Sequence, residues 1–194
     1  MIVKDEADYL QDWLIFHAAA GVRHIFIYDN GSTDKTGEIA RDFQGCDITV
    51  TPWAYNTSVA KPGIALQQQV MCYCHAILNY GAKFRWMSFI DTDEYLVPQK
   101  GGSIPDTLND LEAFTNISLP WVMFGHNGHL RSPKEPVPFA YTARARHLSG
   151  SLLNFKCIVD PCDVTQVSVH KFLTRTMGQG HANTLGRVVQ GVAC

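Results

Sequence analysis

Residues 86–95 read Trp-Met-Ser-Phe-Ile-Asp-Thr-Asp-Glu-Tyr, an apolar run followed directly by three carboxylates within four residues. The apolar part predicts a buried strand over residues 86–90. Ligands bind open α/β sheets in the crevice at the carboxyl ends of the strands, which is where Asp91 and Asp93 stand. Crowded carboxylates repel one another, and oxygen ligands suit Mg²⁺ or Mn²⁺. The stretch therefore indicates a strand that ends at a cation-binding turn, or else an acidic turn that caps the next segment.

A second strand end, about 60 residues earlier, has the same character. The apolar residues 24–28 are followed by Asp29-Asn30-Gly31-Ser32, which is turn chemistry. A carboxylate at Asp29 can accept hydrogen bonds from a nucleobase N–H or from ribose hydroxyls. Asp34 is most simply explained as a helix cap. Glu6 opens the first helix, where it either complements the helix dipole or contacts a base or ribose.

Helical and strand patterns alternate through the first two thirds of the chain. Such alternation predicts an α/β fold with a mostly parallel sheet covered by helices on both faces. Beyond residue 102 the pattern changes to a short helix over 106–114 and then strand-like, proline-punctuated stretches, which indicates a β-rich region packed on the end of the sheet. The helices are predicted from 5 to 20, from 33 or 34 to 43 and from 64 to 80, and the strands over 24–28, 48–53, 86–90, 119–124, 139–146, 153–159 and 164–172.

Length and composition bound the class of protein. The 194 residues fit one domain, of which we expect 1–98 to form one half, 99–175 a second half and 176–194 a loose, glycine-rich tail. A net charge of −2 argues against nucleic-acid binding by phosphate neutralisation. No run of 18 apolar residues predicts a spanning helix and no signal peptide is seen, so we expect a cytoplasmic location or a peripheral one at a membrane.

A series of short motifs follows one after another through residues 1–172. Each motif alone has little specificity, whereas the ordered set is specific. The set comprises Val3-Lys4-Asp5-Glu6, Tyr9-Leu10 with Trp13-Leu14 and His17, Gly21-Val22 with His24, Tyr28-Asp29-Asn30 with Ser32 and Asp34, Gln69 with Cys72-Tyr73-Cys74-His75-Ala76, Trp86 with Asp91-Thr92-Asp93-Glu94-Tyr95-Leu96 and Pro98, Trp121 with Phe124-Gly125 and Gly128, and Lys156-Cys157-Ile158-Val159 with Val169-His170.

This ordered set resembles glycosyltransferase family 92 and the related family-2-like glycosyltransferases. The resemblance implies a GT-A fold, a nucleotide-sugar-binding α/β sheet with an acceptor side built after the metal motif. It implies a metal-dependent, inverting transfer from a nucleotide sugar, by analogy a UDP-sugar, to a glycan or other hydroxyl acceptor. The family usually has Asn where this chain has Asp5.

The resemblance also implies roles for individual residues. Asp29 with Asn30, and Glu6, would contact the uracil or ribose. Asp91 would face the ribose and the metal, and Asp93 would bind Mn²⁺ or Mg²⁺ that bridges the diphosphate. Two further roles remain open against structural alternatives: His170 as a metal ligand or a satisfied polar residue, and Lys156 as a diphosphate contact or an exposed strand lysine.

The acceptor side and the general base are less well defined. Trp121 would stack on the sugar or pack in the core, and a loop with Gly125, His126 and Asn127 would flank sugar and acceptor. An inverting transferase needs a base to take the acceptor's hydroxyl proton. The sequence leaves three carboxylates as candidates for that base, Glu135, Asp160 and Asp163.

Two other functions compete with a glycosyltransferase. One is a non-catalytic domain that binds a nucleotide sugar or glycan, which the short ends relative to the family's pattern would favour. The other is a haloacid dehalogenase-like phosphatase, which also uses Asp-x-Asp at a strand end. In those phosphatases the motif lies on the first strand, and a Thr follows two residues after the second Asp, where this chain has Tyr95.

Overall fold

A three-stranded parallel sheet forms the first part of the molecule. The structure, a computed structural model, describes residues 1–54, 67–99, 101–144 and 154–189. Strand β2 (His24–Asp29) is central and pairs in parallel with β1 (Ile2–Val3) and with β3 (Asp47–Pro52). The register sets Val3 opposite Asp29, so the loops that follow β1 and β2 leave the sheet side by side.

Helices cover both faces of this sheet. Because side chains alternate along a strand, Ile25 and Ile27 point to one face and Phe26 and Tyr28 to the other. The isoleucines pack against the first two helices, and Phe26 and Tyr28 pack against the third. The predicted α/β class is thus confirmed. The helices are α1 (Ala7–Ala19), α2 (Thr36–Asp42) and α3 (Gln68–Tyr80).

The strand that precedes the acidic turn differs from its prediction. Only β4 (Met87–Ser88) of residues 86–90 is a strand, and it pairs antiparallel with β6 (Phe155–Val159). All five residues of β6 are buried, so both of its edges need hydrogen-bonding partners; β4 supplies one and β5 (Asn116–Pro120) the other. The expectation of a mostly parallel sheet therefore holds for β1–β3, whereas β4 belongs to a second, mixed sheet.

The later part of the chain contains shorter elements than predicted. Where a strand was expected over residues 139–146, residues 139 and 140 instead end helix α5 (Val137–Ala140), because Pro136 and Pro138 favour a helix start. Within 141–144, Arg144 forms only an isolated bridge with Phe124. The helix expected over 106–114 is α4 (Ile104–Asn109), whose start is capped by Ser103. Parts of the predicted elements over 64–80, 139–146 and 153–159 lie outside the described residues, namely 64–66, 145, 146 and 153.

The tail expected over residues 176–194 contains two short strands of the second sheet, β9 (His181–Ala182) and β10 (Val188–Val189), while its residues 190–194 lie outside the described residues. Strand β8 (Phe172–Thr174) before it pairs with β7 (Val164–Val167) in a separate two-stranded sheet. Strand β9 pairs in parallel with β5, and His181 is buried with its ring nitrogen Nδ1 2.8 Å from the Ser118 hydroxyl. Burial of this histidine, rather than composition, decides the local structure.

No helix among the described residues is long and apolar enough to cross a membrane.

Helix α1 is followed by Gly21, at a position where only glycine fits. Gly21 has φ +97°, and a Cβ there would lie 2.9 Å from the ring of Pro105 at the start of α4. The Ala20 carbonyl just before it accepts a hydrogen bond from the Ile104 N–H at 2.8 Å. The end of α1 is thereby joined to the segment that follows the acidic turn.

The buried imidazole of His17 makes a second connection between these parts of the chain. Its Nδ1 lies 2.9 Å from the Trp13 carbonyl oxygen, and its Nε2 accepts a hydrogen bond from the Leu96 N–H at 3.2 Å. The indole N–H of Trp13 donates to the Glu94 carbonyl at 2.7 Å. Burial lowers the pKa of His17 to about 4, although the Trp13 carbonyl opposes this. The neutral ring is therefore the form that holds helix α1 against the acidic turn.

We predict that this histidine makes stability depend on pH. The unfolded chain, in which a histidine titrates near 6.5, binds more protons than the folded chain between pH 6.5 and 4, so the free energy of unfolding falls as the pH is lowered through that range. The contribution is fully present above pH 6.5, and its loss by pH 4 amounts to about 3 kcal/mol. Urea unfolding at a series of pH values measures it.

The His17→Gln variant keeps a donor and an acceptor but does not titrate, so its unfolding should show a shallower pH slope. The exposed His126→Gln change is the matched control and should retain the wild-type slope. Equal slopes for His17→Gln and wild type would show that the buried imidazole is not the titrating group.

Candidate active site

A buried lysine on a neighbouring strand contacts two carboxylates of the acidic turn, Asp91 and Glu94. Lys156 lies on β6 with its side chain only 3% exposed, and its Nζ is 3.1 Å from Asp91 Oδ2 and 3.2 Å from Glu94 Oε2. Glu94 also accepts a hydrogen bond from the Asp91 N–H at 2.9 Å. Burial raises the pKa of Glu94, while the Asp91 N–H and the Lys156 ammonium favour its charged form. The two carboxylates of the turn are thus held together by one buried ammonium.

Helix α3 holds the second oxygen of Asp91. The Gln69 amide nitrogen donates to Asp91 Oδ1 at 2.8 Å and to the Tyr73 hydroxyl at 2.7 Å. Gln69 and Tyr73 are four residues apart and so lie on the same face of the helix. Burial raises the pKa of Tyr73, and the negative charge of Asp91 raises it further, so the hydroxyl stays protonated. Each carboxylate oxygen of Asp91 therefore has a fixed partner.

Two aromatic side chains border this cluster. The rings of Trp121 and His170 meet edge to face with centroids 5.2 Å apart, and Lys156 Nζ is 6.0 Å from the Trp121 ring centroid. Burial lowers the pKa of His170, and the charge of Lys156 lowers it further while that of Asp91 opposes the shift. Among the described residues, the Trp121 Nε1 and His170 Nδ1 atoms have no hydrogen-bonding partner. Both can therefore accommodate a polar group.

Within the part of the chain that the structure describes, the carboxylates at this turn do not form a closed metal site made of protein ligands alone, but they suit an ion that is shared with water and phosphates. The described residues include no group of three or more His, Cys, Asp or Glu side chains placed to hold an ion, so they do not form a closed protein site. Mg²⁺ and similar ions bind through one or two carboxylates plus water and substrate phosphates. Asp93 is exposed in the turn, so its carboxylate is open to an ion of that kind.

The loops after β1 and β2 are hydrogen-bonded to each other. Asp5 has φ +54°, and its Oδ1 accepts from the Thr33 N–H at 2.7 Å and the Asp34 N–H at 3.3 Å. The Asp5 N–H donates in return to the Ser32 hydroxyl at 3.1 Å. Asn and Asp tolerate this left-handed conformation better than other non-glycine residues, which accounts for Asp5 at a position where the resemblance leads one to expect Asn.

The predicted nucleoside contacts lie on these two joined loops. Asp29 accepts from the Ser32 N–H at 2.8 Å through Oδ1, and the Asn30 N–H donates to the Val3 carbonyl at 2.9 Å. The Glu6 N–H donates to the Thr36 hydroxyl at 2.7 Å. The side chains of Asp29, Asn30 and Glu6 are all partly exposed at the end of the sheet.

Asp34 accepts hydrogen bonds at the start of α2, in line with the predicted cap, and also at the start of α1. Its Oδ1 accepts from the Thr36 N–H at 2.9 Å at the start of α2, and its Oδ2 accepts from the Ala7 N–H at 3.0 Å at the start of α1. The Thr36 hydroxyl, and after it the Thr36 and Ala7 N–H groups, lower the pKa of Asp34, and desolvation opposes them. One carboxylate thus serves the first turns of two helices.

The predicted acceptor-side residues occupy different environments. Trp121 is partly buried beside His170, whereas Gly125, His126 and Asn127 are exposed. Asn127 has φ +50° and braces the loop, donating to the Thr142 hydroxyl at 2.9 Å and accepting from the Ala143 N–H at 2.8 Å. The loop is therefore a shaped, exposed turn.

The three candidate bases also differ. Asp160 forms an ion pair with Arg85 at 2.8 Å and accepts from the Cys162 N–H. Asp163 is buried, and although burial favours its neutral form, hydrogen bonds from Thr176 and others lower its pKa overall. Glu135 is exposed. The two aspartates stabilise local structure, which leaves Glu135 as the candidate with a solvent-facing carboxylate.

Sequence reasoning assigned no role to Gln69, Tyr73 or Glu94. A signal was available, since a lysine in an otherwise apolar strand predicts a buried charge that needs a carboxylate partner. Which carboxylate provides it depends on how β6 meets the acidic turn, a tertiary contact.

A parallel sheet with helices on both faces and acidic loops after β1 and β2 defines an α/β domain. A sequence profile described as Glycosyltransferase family 92 matches residues 2–188. The chain therefore belongs to glycosyltransferase family 92, whose name states glycosyl transfer as the general activity. The family resemblance expected from the ordered motifs is confirmed.

Curated proteins of the same family are similar to this chain. A protein of Oryza sativa subsp. japonica is 27% identical over 150 residues, which cover 74% of this chain and 24% of the relative. One of Ricinus communis is 25% identical over 153 residues, covering 72% and 25%. One of Arabidopsis thaliana is 24% identical over 178 residues, covering 77% and 29%. The matched regions span about a quarter of the length of these relatives.

The bond network of Asp5 yields a prediction about the two joined loops. In Asp5→Ala the Thr33 and Asp34 amides lose their acceptor, and their hydrogen exchange should become roughly tenfold faster, the effect of losing one ordinary hydrogen bond. Asp5→Asn keeps the Oδ1 acceptor and the left-handed backbone, so exchange should stay near wild type.

Amide exchange followed by NMR measures this difference residue by residue. The Asn30 amide, which donates to the Val3 carbonyl within the sheet, is the internal control and should not change. Equal exchange rates at Thr33 in the two variants would show that the Asp5 carboxylate does not protect this amide.

Proposed function

We propose that this domain binds a nucleotide sugar, specifically a UDP-sugar, together with Mn²⁺ or Mg²⁺, and transfers the sugar with inversion to a glycan or other hydroxyl acceptor. The observation that carries the proposal is the fixed carboxylate of Asp91 beside the exposed Asp93, in the turn that follows β4 of a chain that belongs to a glycosyltransferase family. The fold this function implies is the GT-A arrangement, which the parallel β1–β3 sheet with helices on both faces supports.

The nucleoside end of the donor would lie at the joined loops. Asp29, Asn30 and Glu6 present polar side chains where β1 and β2 end, and Val3 and Asp29 are direct neighbours in the sheet. The segment before Asp91 packs on the same strands, because Ile90 joins the cluster of Met1 and Val3. A uracil and ribose bound there would lie beside the Asp91 carboxylate.

The charged and transferred parts of the donor would lie over the acidic turn. A divalent ion bound through Asp93, with His170 as a further donor, would act as a Lewis acid for the leaving nucleoside diphosphate. The buried Trp121 Nε1 and His170 Nδ1 atoms offer polar partners, and the Trp121 ring offers an apolar face, which suits a pyranose. The exposed loop with Gly125, His126 and Asn127 would contact the acceptor.

Inverting transfer also requires a base for the acceptor's hydroxyl proton. Of the three candidate carboxylates, Asp160 and Asp163 are engaged in local hydrogen bonds, whereas Glu135 is exposed. We assign the base to Glu135 within this proposal.

Binding of UDP by isothermal titration, with and without Mn²⁺, tests the donor site. We expect Mn²⁺ to strengthen UDP binding, and Asp93→Ala to lose that gain with an affinity decrease of at least roughly tenfold, because the exposed carboxylate no longer holds the ion. Asp110→Ala, which removes another exposed carboxylate at the end of α4, is the matched control and should bind like wild type.

No UDP binding under any of these conditions would overturn the proposal. UDP release from a panel of UDP-sugars, with and without glycan acceptors, then separates turnover from binding. Binding without release would identify the chain as a non-catalytic donor-binding domain.

A further inference from the structure

We propose that Lys156 and Gln69 are positioning residues that fix the Asp91 carboxylate for a ribose hydroxyl, and that Lys156 does not contact the diphosphate. The inference rests on the proposed function, since it concerns how the same nucleotide is held. It replaces the expectation that a lysine near the donor neutralises phosphate charge.

The exposure of the three charged side chains supports this assignment. The Lys156 side chain is 3% exposed and that of Glu94 is 15% exposed, whereas that of Asp91 is 35% exposed. A ligand arriving from solvent meets the Asp91 carboxylate first. The ammonium lies behind it, in contact with two carboxylates.

Moving Lys156 to a phosphate would leave buried charge unpaired. Its Nζ lies 3.1 Å from Asp91 and 3.2 Å from Glu94, and removal of one partner from a buried ion pair is strongly destabilising because the remaining charge is uncompensated. Glu94 is further tied to the turn by the Asp91 N–H. The lysine therefore stays with the carboxylates when a ligand binds.

Gln69 completes the restraint from the opposite side. It donates to Asp91 Oδ1 at 2.8 Å, while Lys156 contacts Oδ2, so one partner from α3 and one from β6 fix the plane of the carboxylate. Each carboxylate oxygen retains a second lone pair. Hydroxyl donors of a ribose can use those lone pairs without displacing either partner.

The test compares ligands that differ only in phosphate. Uridine, UMP and UDP are titrated into the protein at one fixed Mn²⁺ concentration. Gln69→Met removes the amide donor and leaves every charge in place. The double variant Lys156→Met with Glu94→Gln removes the buried cation together with one carboxylate. We expect each to weaken uridine, UMP and UDP by a similar factor of roughly ten, the value of one well-placed hydrogen bond.

The ratio of uridine affinity to UDP affinity tests for a phosphate contact, because loss of such a contact would weaken UDP binding and leave uridine binding unchanged. We expect that ratio to stay within about twofold of wild type. The readout that a merely structural defect would not move is the preference for uridine over 2′,3′-dideoxyuridine, which lacks the ribose hydroxyls, and we expect both variants to reduce this preference. Lys83→Met and Gln44→Met, on exposed residues, are matched controls and should bind all three ligands normally.

Selective loss of UMP and UDP binding in the double variant, with uridine binding intact, would identify Lys156 as a phosphate ligand and overturn the inference. Unchanged uridine binding in Gln69→Met would also overturn it, and this variant decides the question if the double variant does not fold. Failure of the wild type to bind any of the three ligands would instead overturn the proposed function.

Discussion

The buried ammonium of Lys156 is the constraint on which the site depends. A charge with so little exposure is tolerated only with carboxylate partners in contact, and Asp91 and Glu94 provide them. The same residue belongs to a strand that is buried along its whole length and pairs on both edges. The position of the acidic turn is thus determined jointly by sheet hydrogen bonding and by charge compensation.

A second set of restraints acts at the neighbouring strand ends. Asp5 and Asp34 each bind backbone N–H groups of the opposite loop, and His17 with Trp13 ties helix α1 to the acidic turn through backbone atoms. Asp5, Asp34 and His17 are residue types that bind ligands in many proteins, and here they bind backbone atoms of this chain. The effect is that hydrogen bonds restrain the relative positions of three loops, those after β1 and β2 and the acidic turn.

Much of the first half could be predicted because its signals are local. Strand β2 and helices α1 and α2 follow from an apolar run, a helical spacing of apolar residues and turn residues between them. The partner of β4 could not be predicted, since antiparallel pairing with β6 joins residues 70 positions apart. Pro136 and Pro138 favour the start of α5, whose last two residues lie where the strand over 139–146 was expected.

The site divides along the same line. The sequence by itself determined that Asp29 ends a strand and that Asp91 and Asp93 lie in a turn after an apolar run, because these patterns are local, and the ordered motifs determined the family. Only the tertiary structure decided that Asp91 is hydrogen-bonded to Gln69 and Lys156. It also decided that Glu94 is a counter-ion of Lys156 and that Asp93 is exposed. Those roles depend on which distant element approaches the turn, and the free energy of burying one lysine makes that approach specific.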